Sequence, residues 1–373
     1  MLLFLILFTF HSARTNFIKP TDVLILNLDD PPRERWPNAL KNSSLSLEEY
    51  DKDSQIILNT LFSSIPTTLQ QNISKFLDKV VDQPSIAFSN ELIGEIDGLH
   101  SFLKIPIKNL YSLNLVYMTF TQTFGCTSIV AQGVNSTPFL AHNVDFDETW
   151  FWRKYSRTVN LVRNEQHFAT IEVPTIGTIS AAQGVRYGGF AIALNQRVEG
   201  TWEDNLKELN SGARLPQFLL RNVIESNATY HEALESLQNI DIVAPCYYIT
   251  SGIAQNQGAV ISRSRIQTAK SILKLNGSST WFLAQCNSDY WKKPISKRVI
   301  FADRYLEKLK QVNLDINSLQ RLMLLYPINN QLTFQLNLVN AASKTQLAYQ
   351  VYHNSTMSIC PHMISSDRNY ERF

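Results

Sequence analysis

Cys126 and Asp145 stand near the two ends of one compact stretch, Gly125 to Asp147, which reads GCTSIVAQGVNSTPFLAHNVDFD. A thiol attacks only as its thiolate, so a reactive cysteine needs a base or a charge arrangement that draws its proton away. This stretch has the means to bring a carboxylate to it. Thr127, Ser128, Ile129, Val130 and Ala131 read as an outgoing strand, and Asn135-Ser136-Thr137-Pro138 as a turn. Phe139, Leu140 and Ala141 return, and the chain runs on into His142-Asn143-Val144-Asp145. The result is a β-hairpin that sets Asp145 beside Cys126. It requires Asn135, in the turn, to be exposed. Outside such a setting, a cysteine in an apolar strand is an inert buried thiol.

The elements around the hairpin differ on its two sides. Val23–Leu28 reads as a buried strand, followed by a proline turn at Asp29-Asp30-Pro31-Pro32. Ser46-Leu47-Glu48-Glu49 is a capping box that opens a helix ending before Pro66. Leu69, Ile73, Phe76, Leu77 and Val80 share one helical face, as do Leu92, Ile96, Leu99 and Leu103, and a fourth helix with Leu110, Leu113 and Tyr117 follows Pro106. Such stripes pack a core; a lipid or membrane surface is the alternative use. Past Cys126 the pattern turns to strands at 158–162, 167–173, 190–194, 246–251, 259–262, 272–275 and 280–285. Helices are expected at 217–224, after the capping box at Thr229-Tyr230-His231-Glu232, and at 318–325, with a last strand at 332–340. These counts imply an α+β protein.

Composition narrows the class. The chain has 373 residues, 44% hydrophobic and 18% charged, enough to bury a core and too apolar for disorder. Its net charge of +2 has no basic cluster behind it, which gives no reason to expect nucleic acid. Met1 to Phe10 is almost wholly apolar and is followed by His11-Ser12-Ala13-Arg14, the pattern of a secretory signal, residues 1–13. No later stretch has 18 unbroken apolar residues, so a soluble mature protein is expected. Six glycosylation sequons, at Asn42, Asn72, Asn135, Asn227, Asn276 and Asn354, agree with secretion. The cysteines are Cys126, Cys246, Cys286 and Cys360. With Cys126 a nucleophile, at most one intrachain disulfide remains, and Cys246 with Cys286 is a candidate pair. No CxxC or HExxH suggests a metal, and no cofactor is expected.

CTSIVAQ followed by AHNVDFD resembles the nucleophile hairpin of the acid ceramidase and N-acylethanolamine acid amidase family, CTSIVA with HGRNxDF. Asn27-Leu28-Asp29-Asp30-Pro31-Pro32-Arg33-Glu34-Arg35-Trp36 is similar to the family's NLDxPPxxRW opening. The resemblance implies an N-terminal-nucleophile (Ntn) hydrolase: two stacked antiparallel sheets flanked by helices, αββα, with a helical N-terminal region. It implies scission between Gly125 and Cys126, giving an α-subunit from residues 14–125 and a β-subunit from 126–373 that stay together as a heterodimer. The new α-amine of Cys126 then serves as base for its own thiol. Position by position, Cys126 matches the nucleophile and Asp145 the carboxylate that holds the amine. Asn287, in Gln285-Cys286-Asn287-Ser288-Asp289-Tyr290-Trp291, matches the oxyanion donor. Arg298, in Ser296-Lys297-Arg298-Val299, matches the first Arg of a DDRR-like segment. The family's C-terminal CxxxC keeps only its first cysteine here, Cys360, so that disulfide is unavailable.

Two positions depart from the family. His142 replaces the Arg of GRNxDF, and Gln196, in Leu194-Asn195-Gln196-Arg197, replaces a Glu. A histidine supplies positive charge only at acidic pH and lacks the guanidinium fork. Gln196 can hydrogen-bond but cannot act as acid or base. Both are expected to line the site. The function implied is a lysosomal or secreted amidase that cuts a fatty-acyl lipid amide, presented by a membrane surface or a lipid-presenting protein. Ala244-Pro245-Cys246-Tyr247-Tyr248-Ile249 and the opening motif look closer to acid ceramidase, which makes ceramide the first substrate and an N-acylethanolamine the second. Two other readings stand beside it: a catalytically weakened lipid-binding homologue, motivated by His142 and Gln196, and a hydrolase of bile-acid or penicillin-like amides.

Overall fold

Among the described residues, five α-helices precede the hairpin and most strands follow it, and in space the strands form two sheets with helices outside them. The computed structural model describes residues 17–119, 124–268, 271–277 and 279–353. The signal-like segment 1–13, the sequon at Asn354 and Cys360 lie outside them. Strands β1 (Phe17–Pro20) and β2 (Val23–Asn27) lead into helices α1 (Pro32–Leu40), α2 (Leu47–Ser63), α3 (Thr67–Asp82), α4 (Asn90–Leu103) and α5 (Ile107–Thr119). The expected hairpin is β3 (Phe124–Ala131) and β4 (Phe139–Phe146). Then come α6 (Thr149–Tyr155), β5 (Arg157–Arg163), β6 (Gln166–Val173), β7 (Gln183–Arg186) and β8 (Phe190–Gln196). Helices α7 (Trp202–Asn210), α8 (Pro216–Ser226) and α9 (Tyr230–Asn239) precede β9 (Cys246–Gly252), β10 (Gly258–Arg263), β11 (Leu273–Lys274) and β12 (Phe282–Gln285). The described chain ends with α10 (Lys297–Leu309), α11 (Ile316–Met323), β13 (Thr333–Asn340) and β14 (Thr345–Tyr352).

The strands form two sheets. One has six strands in the order β1-β14-β13-β4-β3-β12, and the other eight in the order β11-β10-β9-β8-β7-β6-β5-β2. Val130, Leu140 and Val339 of the first meet Val185, Ala193, Tyr247 and Ile249 of the second, so the sheets stack face to face. The outer face of the six-stranded sheet, with Ile129, Ala141 and Leu338, is covered by Leu306 of α10 and Leu319 and Leu322 of α11. The outer face of the other, with Ile171, Ile192 and Tyr248, is covered by α8, α9 and the N-terminal helices. These layers are the α+β, αββα sandwich expected.

Particular expectations hold and others change. Ser46 accepts the Glu49 N–H and starts α2, and Thr229 with Glu232 closes a complete capping box on α9. β2 is a sheet edge, not a buried strand: Val23 is 55% and Ile25 63% exposed while Leu24 and Leu26 point inward. It is also parallel to β5, the exception in otherwise antiparallel sheets. The proline turn is instead α1, with Pro32 at its first position, where a missing N–H costs nothing. α1 crosses α4 closely; a Cβ at Gly98 would lie 2.1 Å from the Arg33 carbonyl oxygen, which only glycine permits. Cys246 and Cys286 are not joined in the candidate disulfide. Cys246 opens β9 of one sheet and Cys286 follows β12 of the other, where its sulfur contacts Thr127 Oγ1 at 3.7 Å.

Candidate active site

The β3–β4 ladder decides what each candidate can reach. Cys126 pairs directly with Val144, and Gly125 with Asp145. Side chains paired across an antiparallel ladder share a face and alternate along it. The Cys126 thiol therefore faces the eight-stranded sheet with Ser128, whose Oγ donates to Asn195 Oδ1 of β8 at 2.6 Å. Asp145 faces the other way with Thr127 and Asn143, toward α10 and α11. The hairpin forms as expected, and the carboxylate leaves the face opposite the thiol, near enough for its charge to act on the sulfur. It lies beside the backbone: a Cβ at Gly125 would be 3.2 Å from Asp145 Cβ and 3.4 Å from its Oδ2.

Arg298, near the start of α10, ties these groups together. Its Nη1 donates to the Cys126 carbonyl oxygen at 3.1 Å, to Thr127 Oγ1 at 3.1 Å and to Asp145 Oδ2 at 2.9 Å. Its Nη2 donates to Asn287 Oδ1 at 3.1 Å. Asn287, just past β12, accepts the Cys126 N–H on the same Oδ1 at 2.8 Å and donates from Nδ2 to the Gln196 carbonyl oxygen at 3.0 Å. A side-chain amide carries two Nδ2 hydrogens, so one remains for an oxyanion. Cys126, Asp145, Asn287 and Arg298 thus surround one peptide, Gly125–Cys126, from β3, β4, the β12 end and α10.

The thiol itself is held protonated by its surroundings. Cys126 is 3% exposed, and burial foremost, with the Asp145 charge, pushes its pKa up to about 12; Arg298 and the backbone N–H groups of Asp145 and Gln196 oppose this. Gln196 therefore meets the site through its backbone. His142 shares the thiol's face, opposite Ser128 in the ladder. It is fully buried, and burial lowers its pKa to about 3, with the Gln183 amide from β7 opposing weakly. The expectation that mild acid would charge this histidine is corrected: burial keeps it neutral down to about pH 3.

Asn330, between α11 and β13, and Thr333, the first residue of β13, add to the Asp145 environment. Asn330 Nδ2 donates to Asp145 Oδ2 at 3.0 Å and Thr333 Oγ1 to Oδ1 at 2.6 Å. Nothing in Asn329-Asn330-Gln331-Leu332-Thr333 marks them in sequence; only the pairing of β13 with β4 brings them there. Among the sequons, Asn42, Asn72, Asn135 and Asn276 are exposed, as the hairpin requires of Asn135, and Asn227 is half-buried. Among the described residues no group of His, Cys, Asp and Glu is placed to hold a metal, and no helix is long and apolar enough to cross a membrane.

Known proteins are similar to this chain to different degrees. No family model matches the chain. An N-acylethanolamine-hydrolyzing acid amidase of Caenorhabditis elegans is 31% identical over 321 residues, 83% of this chain and 86% of that protein. The acid ceramidase of Pan troglodytes is 26% identical over 355 residues, 89% of this chain and 86% of that one. The solved structure of the Caenorhabditis elegans N-acylethanolamine-hydrolyzing acid amidase ortholog superposes with a TM-score of 0.54 at 31% identity, over 58% of this chain and 93% of its own. With a relative at that identity spanning most of both sequences, and its fold shared, this chain belongs to the acid ceramidase and N-acylethanolamine acid amidase family of Ntn hydrolases.

Proposed function

We propose that this protein is a self-processing N-acyl lipid amidase of the lysosome or the secretory route, with Cys126 as nucleophile. The observation that carries the reading is the convergence of Asn287, Arg298 and Asp145 on the backbone at Gly125–Cys126, where a structural cysteine would need none of them. In self-scission the Cys126 sulfur adds to the Gly125 carbonyl carbon, the C–N bond breaks, and the thiol's proton passes to the departing nitrogen. Water then cleaves the thioester, leaving a Gly125 carboxylate and a Cys126 with free amine and thiol. In turnover that amine takes the thiol's proton and the sulfur attacks the lipid's acyl carbonyl. Asn287 Nδ2–H holds the oxyanion, the ammonium returns its proton to the leaving amine, and water releases the fatty acid. The α and β fragments remain associated, and a membrane surface or lipid-presenting protein delivers the substrate.

Ceramide is the substrate that the motif resemblance implies. The higher identity to the worm amidase, 31% against 26% for the ceramidase, favours an N-acylethanolamine as a second reading. The test is a gel of protein held at acidic pH. Wild type gives two fragments, the β-subunit beginning Cys-Thr-Ser, and Cys126→Ala gives one uncut band. A single band from both sinks the enzyme reading and favours the weakened lipid-binding homologue that His142 and Gln196 suggest. Rates on ceramide and N-palmitoylethanolamine then choose the head group.

A further inference from the structure

The turn that carries Asn330 and Thr333 is built so that its hydrogen-bond directions are fixed. The Leu332 N–H donates to Asn330 Oδ1 at 2.9 Å, which leaves Nδ2 as the atom facing Asp145. The Asn330 N–H donates to Thr333 Oγ1 at 3.0 Å, so the threonine hydrogen is the one directed at Asp145 Oδ1. The Thr333 N–H closes the turn on the Asn330 carbonyl oxygen at 3.0 Å, and the Phe146 N–H donates to the Leu332 carbonyl oxygen at 2.9 Å, locking the turn to the end of β4. With Arg298, Asp145 therefore receives three donors from two separate segments at 2.6, 2.9 and 3.0 Å, while only 1% exposed. An ionised carboxylate accepts on both oxygens, whereas a protonated one must turn a hydrogen toward one of these donors.

We propose that Asn330 and Thr333 are positioning residues for scission and turnover: they hold Asp145 ionised and aimed at the Gly125–Cys126 backbone into the acidic range. This rests on Cys126 being the nucleophile. Among the described residues, the charged and titratable groups facing the carboxylate are Arg298 from α10 and Cys126 from β3. His353, at the end of β14, approaches the Thr333 carbonyl oxygen at 3.1 Å rather than the carboxylate.

Thr333→Val keeps the shape and removes the donor; Thr333→Ser keeps the donor. The acid limb of the Thr333→Val self-cleavage profile is expected to move up by about one pH unit, making scission about tenfold slower on that limb and little changed above it. Thr333→Ser restores the wild-type profile. A Thr333→Val profile that coincides with wild type, or that is slowed equally at every pH, overturns the proposal. A second measurement is independent of cutting: in the Cys126→Ala background, the carboxyl carbon of Asp145 is titrated by NMR with and without the Thr333→Val substitution. An unmoved midpoint overturns the proposal even if cleavage proceeds. A raised midpoint in a protein whose wild type never cuts upholds the effect on Asp145 and rejects the nucleophile reading instead.

Discussion

Asn287 serves the uncut chain and the proposed enzyme with different atoms. Its Oδ1 holds the Cys126 N–H in the intact chain, and its second Nδ2 hydrogen is the proposed oxyanion donor. Asn287→Leu removes both, and lipid-amide hydrolysis by any cut protein is expected to fall roughly 10²- to 10³-fold, the usual loss for one oxyanion donor; kcat measured against KM checks it, because a transition-state contact lowers kcat. Arg298 is equally specific, since one guanidinium reaches four acceptors in fixed directions. Arg298→Lys keeps a charge but loses the fork, and slower self-cleavage with an intact fold, read by gel and circular dichroism, is the expected outcome. Asn287 and Arg298 were found in the sequence through short motifs. Asn330 and Thr333 were not, because a lone amide and a hydroxyl in a loop carry no local signature until strand pairing gives them a partner.

Helix stripes α2 to α5 were visible because 3.6-residue periodicity survives wherever one face packs on a core. Helices α6, α7 and α10 and strands β1 and β14 went unread in the sequence, and three further elements went unread or differ from their sequence reading for identifiable physical reasons. α1 begins with Pro31-Pro32, which reads as a turn but also suits a helix start. β7, Gln183–Arg186, has no alternation because both its faces are largely buried. β2 reads as a buried strand, yet an edge leaves Val23 and Ile25 outside. The joint between α1, α4 and α8 is ionic. Glu95 is wholly buried and accepts from Arg35 Nη1 at 2.9 Å, Trp36 Nε1 at 2.7 Å and Arg221 Nη1 at 2.7 Å. Arg221 lies beyond the proposed scission point and Arg35 before it, so this cluster spans the two fragments. Glu95→Gln leaves two buried guanidinium groups short of charge and is expected to cost about 3 kcal/mol, measured by denaturant unfolding of the Cys126→Ala protein.

For the molecule as a whole, two buried groups between the sheets set a pH window. Glu172 accepts from Thr158 Oγ1, Gln335 Nε2 and Gln346 Nε2, and burial raises its pKa from 4.5 to about 8. The unfolded chain releases that proton near 4.5 and the folded one near 8, so stability falls as pH rises between them. His142 behaves oppositely: the unfolded chain takes a proton near 6.5 and the folded one only near 3, so stability falls as pH drops through that range. From about 4.5 to 6.5 the two slopes oppose each other, and a plateau in melting temperature is expected there, measured on the Cys126→Ala protein. Glu172→Gln should remove the fall on the alkaline side, and His142→Gln should lessen the fall on the acid side. What residue order alone settled was local: the hairpin, the helical stripes, the nucleophile candidate and the motif partners Asp145, Asn287 and Arg298, because periodicity and short motifs act over a few neighbours. Which face of β3 the thiol takes, that the carboxylate lies against the Gly125 backbone, that burial keeps His142 neutral and that Cys246 and Cys286 do not pair were decided only when two sheets closed over them. Strand register and burial are properties of the packed chain, and no stretch of sequence contains them on its own.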